Sequence, residues 1–297
     1  MPQKKINNIV CPQVACDLGA FFLSLWWKII IFEVTIKITD ARMNVLLLQT
    51  DIKWEAPVYN RDRAVKMIDA ATSQPDLIVL PEMFTTGFCM SPESIAEETD
   101  SDTLAWMRAT AERKSAAVAA SVVTMENGNY YNRFYFVKPD GSYAVYDKRH
   151  LFTFGGEHEK YTAGENRVIV QYGGFRILLQ ICYDLRFPVF SRNTGDYDMI
   201  IYIASWPVPR IEVWNTLLKA RAIENVCYVV GVNRVGKDPY CDYNGGTALI
   251  DYLGKPLVTA EWGKEEAVSA SINKDDLINF RKKFPALQDA DQFRIIK

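Results

Sequence analysis

Short apolar runs alternate with longer amphipathic segments from Met43 towards the end of the chain. Runs with a period of two and many β-branched residues predict strands, whereas apolar positions three and four apart predict helices. The predicted strands are 45–49, 77–80, 116–124, 130–137, 143–146, 167–172, 175–181, 199–203, 228–233, 247–252 and 267–272. The predicted helices are 61–71, 103–113 and 211–226. Strand-rich segments flanked by helices indicate an α/β protein with stacked sheets covered by helices.

The predicted helix 211–226 carries Trp214, Leu217, Leu218 and Ala222 at helical spacing. Such a stripe ordinarily faces the protein core. We therefore interpret it as a packing surface and not as part of a cofactor site.

Three reactive side chains directly follow predicted strands. Cys182 follows the aliphatic run 175–181, Glu82 follows a strand stopped by Pro81, and Lys148 lies in a basic cluster after 143–146. Taken singly, a buried cysteine is most often a small hydrophobe, and a charged strand end is most often solvated. Together, at the ends of strands in one sheet, such groups can converge on a shared crevice. The sequence thus predicts a candidate Glu-Lys-Cys site.

Composition agrees with an enzyme that acts on small molecules. The 297 residues are 49% hydrophobic and can bury a large core. The formal net charge of −2 and the lack of a long basic stripe give no reason to expect a nucleic-acid partner. A small-molecule substrate is the better expectation.

The six cysteines form no C-x-x-C pair, and His150 and His158 are the two histidines of the sequence. There is little material for a metal site or a Cys-His pair, and Gly173-Gly174 and Gly245-Gly246 are typical of turns and not of a phosphate loop. We expect neither a metal nor a cofactor, and we expect reduced thiols in the cytoplasm. His150 is expected to support the turn after Lys148.

Three motifs carry a family resemblance. Leu-Pro-Glu82-Met-Phe, Lys148-Arg-His-Leu-Phe and Cys182-Tyr-Asp-Leu-Arg-Phe-Pro resemble the signatures of the nitrilase superfamily of carbon–nitrogen hydrolases, and Glu157 stands where that superfamily has a second glutamate. The resemblance runs from about Met43 to the C-terminus. It implies a four-layer α-β-β-α sandwich of the nitrilase type, catalysis by the three motif residues, and a homodimer.

Within the superfamily, these motifs most resemble the omega-amidase branch, which hydrolyses the side-chain amide of short 2-oxo acids such as 2-oxoglutaramate. Plain nitrilases usually have tryptophan after the cysteine, whereas this chain has Tyr183. N-carbamoyl amino acid hydrolysis is the alternative with nearly the same chemistry. A thiol-based acyltransferase and a non-catalytic protein that binds a small amide are further alternatives.

The resemblance assigns chemical roles to the motif residues. Cys182 would be the nucleophile, and Glu82 would act as base and then as acid in two successive proton transfers. Lys148 and the backbone N–H of Tyr183 would face the oxyanion of the tetrahedral intermediate. Glu157 would either hold Lys148 through an ion pair or orient the substrate.

Four residues are candidates for substrate binding. Arg186 lies four residues after the cysteine, and a guanidinium pairs with a carboxylate in a bidentate fork. The alternative is a solvent-facing arginine. Phe84, Phe154 and Trp206 are candidates for the pocket wall, although buried aromatics are more often core residues.

Residues 1–42 are expected to be an N-terminal extension outside the fold, and 43–297 are expected to form the carbon–nitrogen hydrolase domain. The apolar run 19–27 is too short for a confident membrane span and is followed by Lys28. We therefore expect no membrane partner.

Overall fold

A computed structural model of the chain describes residues 42–295, so the predicted extension lies outside the described residues except for Arg42, which begins the first strand. The strands are β1 Arg42–Gln49, β2 Leu77–Val79, β3 Glu97–Glu98, β4 Ala117–Glu126, β5 Asn129–Val137, β6 Tyr143–Asp147, β7 Ile169–Tyr172, β8 Phe175–Ile181, β9 Met199–Ala204, β10 Tyr228–Asn233, β11 Val235–Lys237, β12 Asp242–Asn244, β13 Ala248–Ile250, β14 Pro256–Thr259 and β15 Glu266–Asn273. The helices are α1 Pro57–Ala70, α2 Asp102–Lys114, α3 Glu157–Lys160, α4 Pro188–Ser191, α5 Ile211–Asn225 and α6 Lys274–Lys283.

Within these residues the strands form two large sheets and a small hairpin. The first sheet has the order β15-β1-β2-β4-β5-β6, with the short β3 beside β4, and β1, β2 and β4 are parallel. The second has the order β14-β13-β10-β9-β8-β7, with β8, β9 and β10 parallel. Strands β11 and β12 pair as a separate antiparallel hairpin.

The alternation of side chains along β1 shows how the layers are stacked. Val45 and Leu47 face inward and share a buried cluster with Ile177 and Leu179 of β8, so the two sheets pack face to face. Leu46 points to the opposite side and belongs to a second cluster, which contains buried residues of α1 and α2. The first sheet is therefore covered by helices on its outer face.

The outer face of the second sheet is covered by α5. Trp214, Leu218 and Ala222 are buried in a third cluster with residues of β9 and β10, and Leu217 packs at its edge. The predicted core-facing stripe is thus confirmed. The order of layers is helix, sheet, sheet, helix, which confirms the predicted α-β-β-α sandwich.

Helix α6 was not predicted, because Leu277 is the one residue of this helix that is buried and its apolar pattern is weak. It is held to the second sheet by charge. The buried carboxylate of Asp198 pairs with Arg176 at 2.7 Å, Arg281 at 3.0 Å and Lys274 at 3.1 Å. Burial opposes ionisation of Asp198, but Arg176 and its neighbours outweigh it and lower the carboxyl pKa to about 2.

Among residues 42–295, no helix combines the length and the apolar character needed to cross a lipid bilayer.

Candidate active site

Glu82 lies just beyond the end of β2, where Pro81 ends the strand pairing. The next residue, Met83, has a left-handed backbone with φ of 45°, and its N–H donates to the hydroxyl of Ser121 at 2.8 Å. This tight turn is fully buried and fixes the direction of the Glu82 side chain.

Lys148 directly follows β6, whose direction is the same as that of β2 because two antiparallel steps separate β6 from β4. The two side chains therefore leave the first sheet at the same edge. Cys182 follows β8 and comes from the second sheet. The expectation that all three groups end strands of one sheet is wrong. The face-to-face packing of the sheets brings the strand ends of both layers together.

Cys182 begins a short 3₁₀ turn, and its backbone is left-handed with φ of 45°. A non-glycine residue in this conformation stores about 1–2 kcal/mol of strain. The turn is held by Asp184, which accepts a hydrogen bond from the backbone N–H of Ile181 at 2.9 Å and from the hydroxyl of Tyr146 at 2.7 Å. The surrounding contacts thus impose the strained position of the thiol.

His150 was expected to support the turn after Lys148, and its hydrogen bonds reach the turn that carries Cys182. Its ring Nδ1 lies 2.7 Å from Asp184 Oδ1, and its backbone N–H donates to the same oxygen at 3.1 Å. The ring stacks on Phe187, with 3.9 Å between the ring centres. The histidine therefore links the segment after Lys148 to the turn that carries Cys182.

The ammonium of Lys148 lies between two buried carboxylates. Its Nζ is 2.9 Å from Glu82 Oε1 and 2.9 Å from Glu157 Oε2, and none of these three side chains is exposed. The second oxygen of Glu82 accepts the backbone N–H of Ser205 at 2.8 Å. Glu157 Oε2 also accepts the backbone N–H of Phe152 at 2.6 Å. Both carboxylates are thereby held in fixed orientations.

Asn132, which the sequence analysis did not identify, joins the two carboxylates. Its side-chain NH₂ donates to Glu82 Oε1 at 2.8 Å and to Glu157 Oε1 at 3.3 Å, and the residue is fully buried. The sequence contained a signal for this residue. Asn132 is on the same face of β5 as Phe134 and Phe136, which lie in the core between the sheets, so it is a polar residue at an inward position.

Burial and neighbouring charges set the protonation of the site. Burial raises the pKa of the Cys182 thiol well above its usual range, and the Glu82 charge adds to this effect while Lys148 opposes it. Burial alone would lower the pKa of Lys148, but the charges of Glu157 and Glu82 outweigh burial and raise it. Burial also raises the pKa of Glu157 despite the opposing charge of Lys148. The arrangement favours a neutral thiol beside a charged ammonium.

A cavity of about 390 Å³ opens onto this cluster and is lined by Glu82, Lys148 and Cys182. Such a volume is in the range of small-molecule sites. Tyr183 and Arg186 also line it. The thiol is therefore accessible to a ligand of modest size.

Two of the predicted wall aromatics line the cavity. Trp206 is buried in its wall, and Phe154 lies at its rim with 88% of its surface exposed. The prediction for Phe84 was wrong. This side chain is buried in the cluster between the first sheet and its helices, with its ring centre 5.4 Å from that of Trp106. The turn at Met83 directs the side chain of Phe84 away from the cavity.

The rest of the cavity wall consists of residues that were not predicted as site residues, although several lie beside predicted ones. These residues are Phe88, Met90, Phe152, Gly155, Ser205, Pro207, Arg210, Asp238, Tyr240, Cys241 and Tyr243. The last four belong to the β11–β12 hairpin or the turn within it. Within residues 42–295, no group of three or more His, Cys, Asp or Glu side chains is arranged to hold a metal ion.

A two-sheet sandwich with a buried Glu-Lys-Glu cluster beside a cavity-lining cysteine defines a class of hydrolase. The sequence model described as carbon-nitrogen hydrolase matches residues 44–282, and the chain belongs to this family. The resemblance to the nitrilase superfamily is thereby confirmed.

The chain is also similar to particular members of this family. The chain is 44% identical over 256 residues to "Omega-amidase YafV" of Escherichia coli strain K12, covering 85% of this chain and 98% of that protein. It is 33% identical over 254 residues to "2-oxoglutaramate amidase" of Bacillus subtilis, covering 84% and 97% of the two chains. XC1258 of Xanthomonas campestris, a CN-hydrolase superfamily protein solved with an arsenic adduct in its active site, has a TM-score of 0.83 and 42% identity, covering 86% and 99%.

Proposed function

We propose that this protein is an omega-amidase, which hydrolyses the side-chain amide of a short 2-oxo acid such as 2-oxoglutaramate or 2-oxosuccinamate to the dicarboxylate and ammonia. The names of the relatives, which match over nearly their whole length, support the substrate class. The observation that carries the chemistry is the ammonium of Lys148, held at 2.9 Å from both Glu82 and Glu157 beside the Cys182 cavity.

The first step is attack of the Cys182 sulfur on the amide carbon while the thiol proton passes to Glu82. We assign the accepting atom as Oε2. Oε1 already accepts hydrogen bonds from Lys148 and Asn132, whereas Oε2 accepts one bond from the Ser205 backbone. Each carboxylate oxygen has about two acceptor positions, so Oε2 retains one for the proton. The raised pKa of the thiol makes this base necessary.

Positive charge stabilises the tetrahedral intermediate. The charged Lys148 and the backbone N–H of Tyr183 are the donors that we assign to its oxyanion, and such a donor is typically worth about 3–4 kcal/mol. When the intermediate collapses, the C–N bond breaks and Glu82 gives its proton to the nitrogen. Ammonia leaves, and a thioester on Cys182 remains. Glu82 then takes a proton from water, the hydroxide attacks the thioester carbon, and the proton returns to the sulfur as the acid is released.

Glu157 is assigned the holding of Lys148 and not the orientation of substrate. Both of its oxygens are already bonded to Lys148, Asn132 or the Phe152 backbone, and it does not line the cavity. It thus acts through the ammonium, fixing its position and keeping it charged.

Arg186 is assigned to the substrate carboxylate. It lines the same cavity four residues beyond the nucleophile, and its guanidinium stacks over Trp206 with 5.3 Å to the ring centre. A planar guanidinium held against an indole keeps its fork of donors free for a carboxylate.

We also propose that the protein is a cytoplasmic homodimer. Cys89, Cys182, Cys227 and Cys241 are free thiols in the described part of the chain, as suits a reducing compartment. Val189 of α4, a helix that follows the nucleophile turn, exposes 56% of its surface where the superfamily resemblance places the subunit contact. Light scattering coupled to gel filtration would measure twice the chain mass, and a monomer at all concentrations would contradict the dimer.

The function is tested by measuring ammonia release from 2-oxoglutaramate, N-carbamoyl amino acids, simple aliphatic amides and nitriles. We expect the 2-oxo acid amide to have the highest kcat/KM. Intact-mass analysis of the quenched wild-type enzyme should show an acyl adduct on Cys182 that Cys182→Ala lacks. Preference for the N-carbamoyl compounds would favour the alternative hydrolase, and binding without ammonia release or adduct would favour a binding protein.

A further inference from the structure

The charges that line the cavity do not balance. Besides the buried cluster, the wall carries two guanidiniums, Arg186 and Arg210, and one further carboxylate, Asp238. Asp238 is already engaged, because it accepts the backbone N–H groups of Tyr240 and Cys241, both at 2.8 Å, and the Tyr243 hydroxyl at 2.6 Å. Among residues 42–295, neither wall guanidinium pairs with a carboxylate. The cavity thus offers two uncompensated cations to a ligand.

Arg210 is held in place by contacts that leave its donors free. Its carbonyl accepts the indole N–H of Trp206 at 2.8 Å, and its guanidinium lies 5.2 Å from the ring centre of Phe152. Arg210 is also the N-cap residue of the fifteen-residue helix α5, so the positive end of the helix dipole lies at the same wall. Both features make this side of the cavity attractive to electron-rich groups.

A substrate with a single carboxylate needs one guanidinium, and a second cation beside it would be left without a partner. A 2-oxo acid carries a second acceptor, the oxo oxygen, adjacent to the carboxylate. We propose that Arg210 is a specificity-determining residue that binds the 2-oxo oxygen while Arg186 binds the carboxylate. This inference rests on the proposed amidase function and extends it to the means of substrate selection.

The same arrangement selects against amino acid amides. Replacing the oxo group by an ammonium, as in glutamine, would place a third positive charge next to Arg186 and Arg210, with no free carboxylate to receive it. Like charges gathered in one cavity without a counter-ion repel one another. The enzyme would therefore discriminate between 2-oxoglutaramate and glutamine by charge, although both carry the same amide.

The test compares Arg210→Met and Arg186→Met on two substrates that differ in the oxo group alone, 2-oxoglutaramate and glutaramate. Arg210→Met should lower kcat/KM for 2-oxoglutaramate by about tenfold to hundredfold and change that for glutaramate by less than about threefold. Arg186→Met should lower both. Arg108→Met is the matched control, since Arg108 stacks on Tyr143 at 5.0 Å but does not line the cavity, and it should change neither.

A variant with the opposite charge at position 210 provides a second test. Arg210→Glu should raise the ratio of glutamine to 2-oxoglutaramate hydrolysis above that of the wild type, because the new carboxylate can receive the ammonium. Equal losses on both substrates in Arg210→Met would show that Arg210 binds the carboxylate or supports the fold, and no loss on either would remove it from the site. Either result overturns the proposal.

Product binding separates this inference from the proposed function. The dissociation constants of 2-oxoglutarate and glutarate, measured by calorimetry on Cys182→Ala, require no turnover. In the Cys182→Ala background, we expect Arg210→Met to weaken the binding of 2-oxoglutarate and to leave the binding of glutarate nearly unchanged. If the wild type hydrolysed no amide but kept this binding difference, the proposed function would fail and the role of Arg210 would stand. Equal binding of both acids with and without Arg210 would refute that role.

Discussion

The carboxylate of Glu157 and the ammonium of Lys148 form an ion pair of 2.9 Å from which solvent is completely excluded. A substitution that removes the charge of Glu157 but keeps its shape therefore leaves the Lys148 ammonium with one charged partner, Glu82, and allows it to shift. We expect Glu157→Gln to lower kcat by about a hundredfold or more with a small change in KM, because Lys148 would stabilise the oxyanion less well. Steady-state kinetics on 2-oxoglutaramate measures this. Glu159→Gln, at an exposed position on the same short helix, should behave as wild type. An unaltered kcat in Glu157→Gln would refute its holding role.

Asn132 is expected to act on both carboxylates through its single NH₂ group. Asn132→Leu removes the donor, and Asn132→Asp replaces it with a further negative charge. Both changes favour protonation of Glu157, whose pKa is already raised by burial, so the acidic limb of the kcat/KM profile should move to higher pH, and farther in the aspartate variant. Asn193→Leu, which removes another fully buried amide outside the cavity, should lower the Tm without moving the limb. A limb that stays in place in both Asn132 variants would assign Asn132 to structure alone.

The raised pKa of Cys182 predicts low reactivity towards a small alkylating reagent at neutral pH. A thiol with a raised pKa is less ionised than free cysteine at every pH below its own pKa. The rate of iodoacetamide labelling should thus climb continuously between about pH 7 and pH 10, without an early plateau. Lys148→Met should slow labelling further, because it removes the charge that favours the thiolate. Peptide mass spectrometry separates Cys182 from Cys241, which also lines the cavity. A plateau below about pH 7 would instead indicate a preformed thiolate.

Asp198 ties α6 to the second sheet in a pH-dependent manner. Its folded pKa of about 2 lies below the usual 3.8, so its contribution to stability is fully present above pH 3.8 and is lost as the pH falls towards 2. Asp198→Asn should lower the free energy of unfolding by about 2 kcal/mol at neutral pH. The difference from wild type should narrow below about pH 4, as denaturant titrations at several pH values would show. A difference in the free energy of unfolding that stays constant down to pH 2 would show that the charge of Asp198 is not the source of this stability.

Strands covered on both faces were predicted most accurately. The predicted strands Phe175–Ile181 and Tyr228–Asn233 match β8 and β10 at both ends, because burial on both faces leaves a mostly apolar run, interrupted in β8 by Arg176 and Gln180. Strand Pro256–Thr259 was missed, since it lies at a sheet edge and is mostly exposed. Helix α6 was missed for a related reason. Its attachment depends on ion pairs with a residue far away in the sequence, which periodicity does not report.

The same distinction applies to the candidate site. Glu82, Lys148 and Cys182 were identified because each lies within three residues of the end of a strand, and strand ends can be predicted from the sequence. The wall residues Arg210 and Tyr240 were not, since they come from loops whose approach to the cavity is set by the packing of whole layers. Local patterns thus predicted the reacting groups, and tertiary structure decided the shape around them.

The left-handed backbone at Cys182 has a consequence for the folding stability of the protein. Glycine adopts φ of 45° at no steric cost, whereas cysteine is strained there. Exchanging the nucleophile for glycine would relax this turn by about 1 kcal/mol before any loss of side-chain packing is counted. Catalysis therefore requires a cysteine at a position where the backbone conformation favours glycine, and the nucleophile is kept at a cost in folding stability.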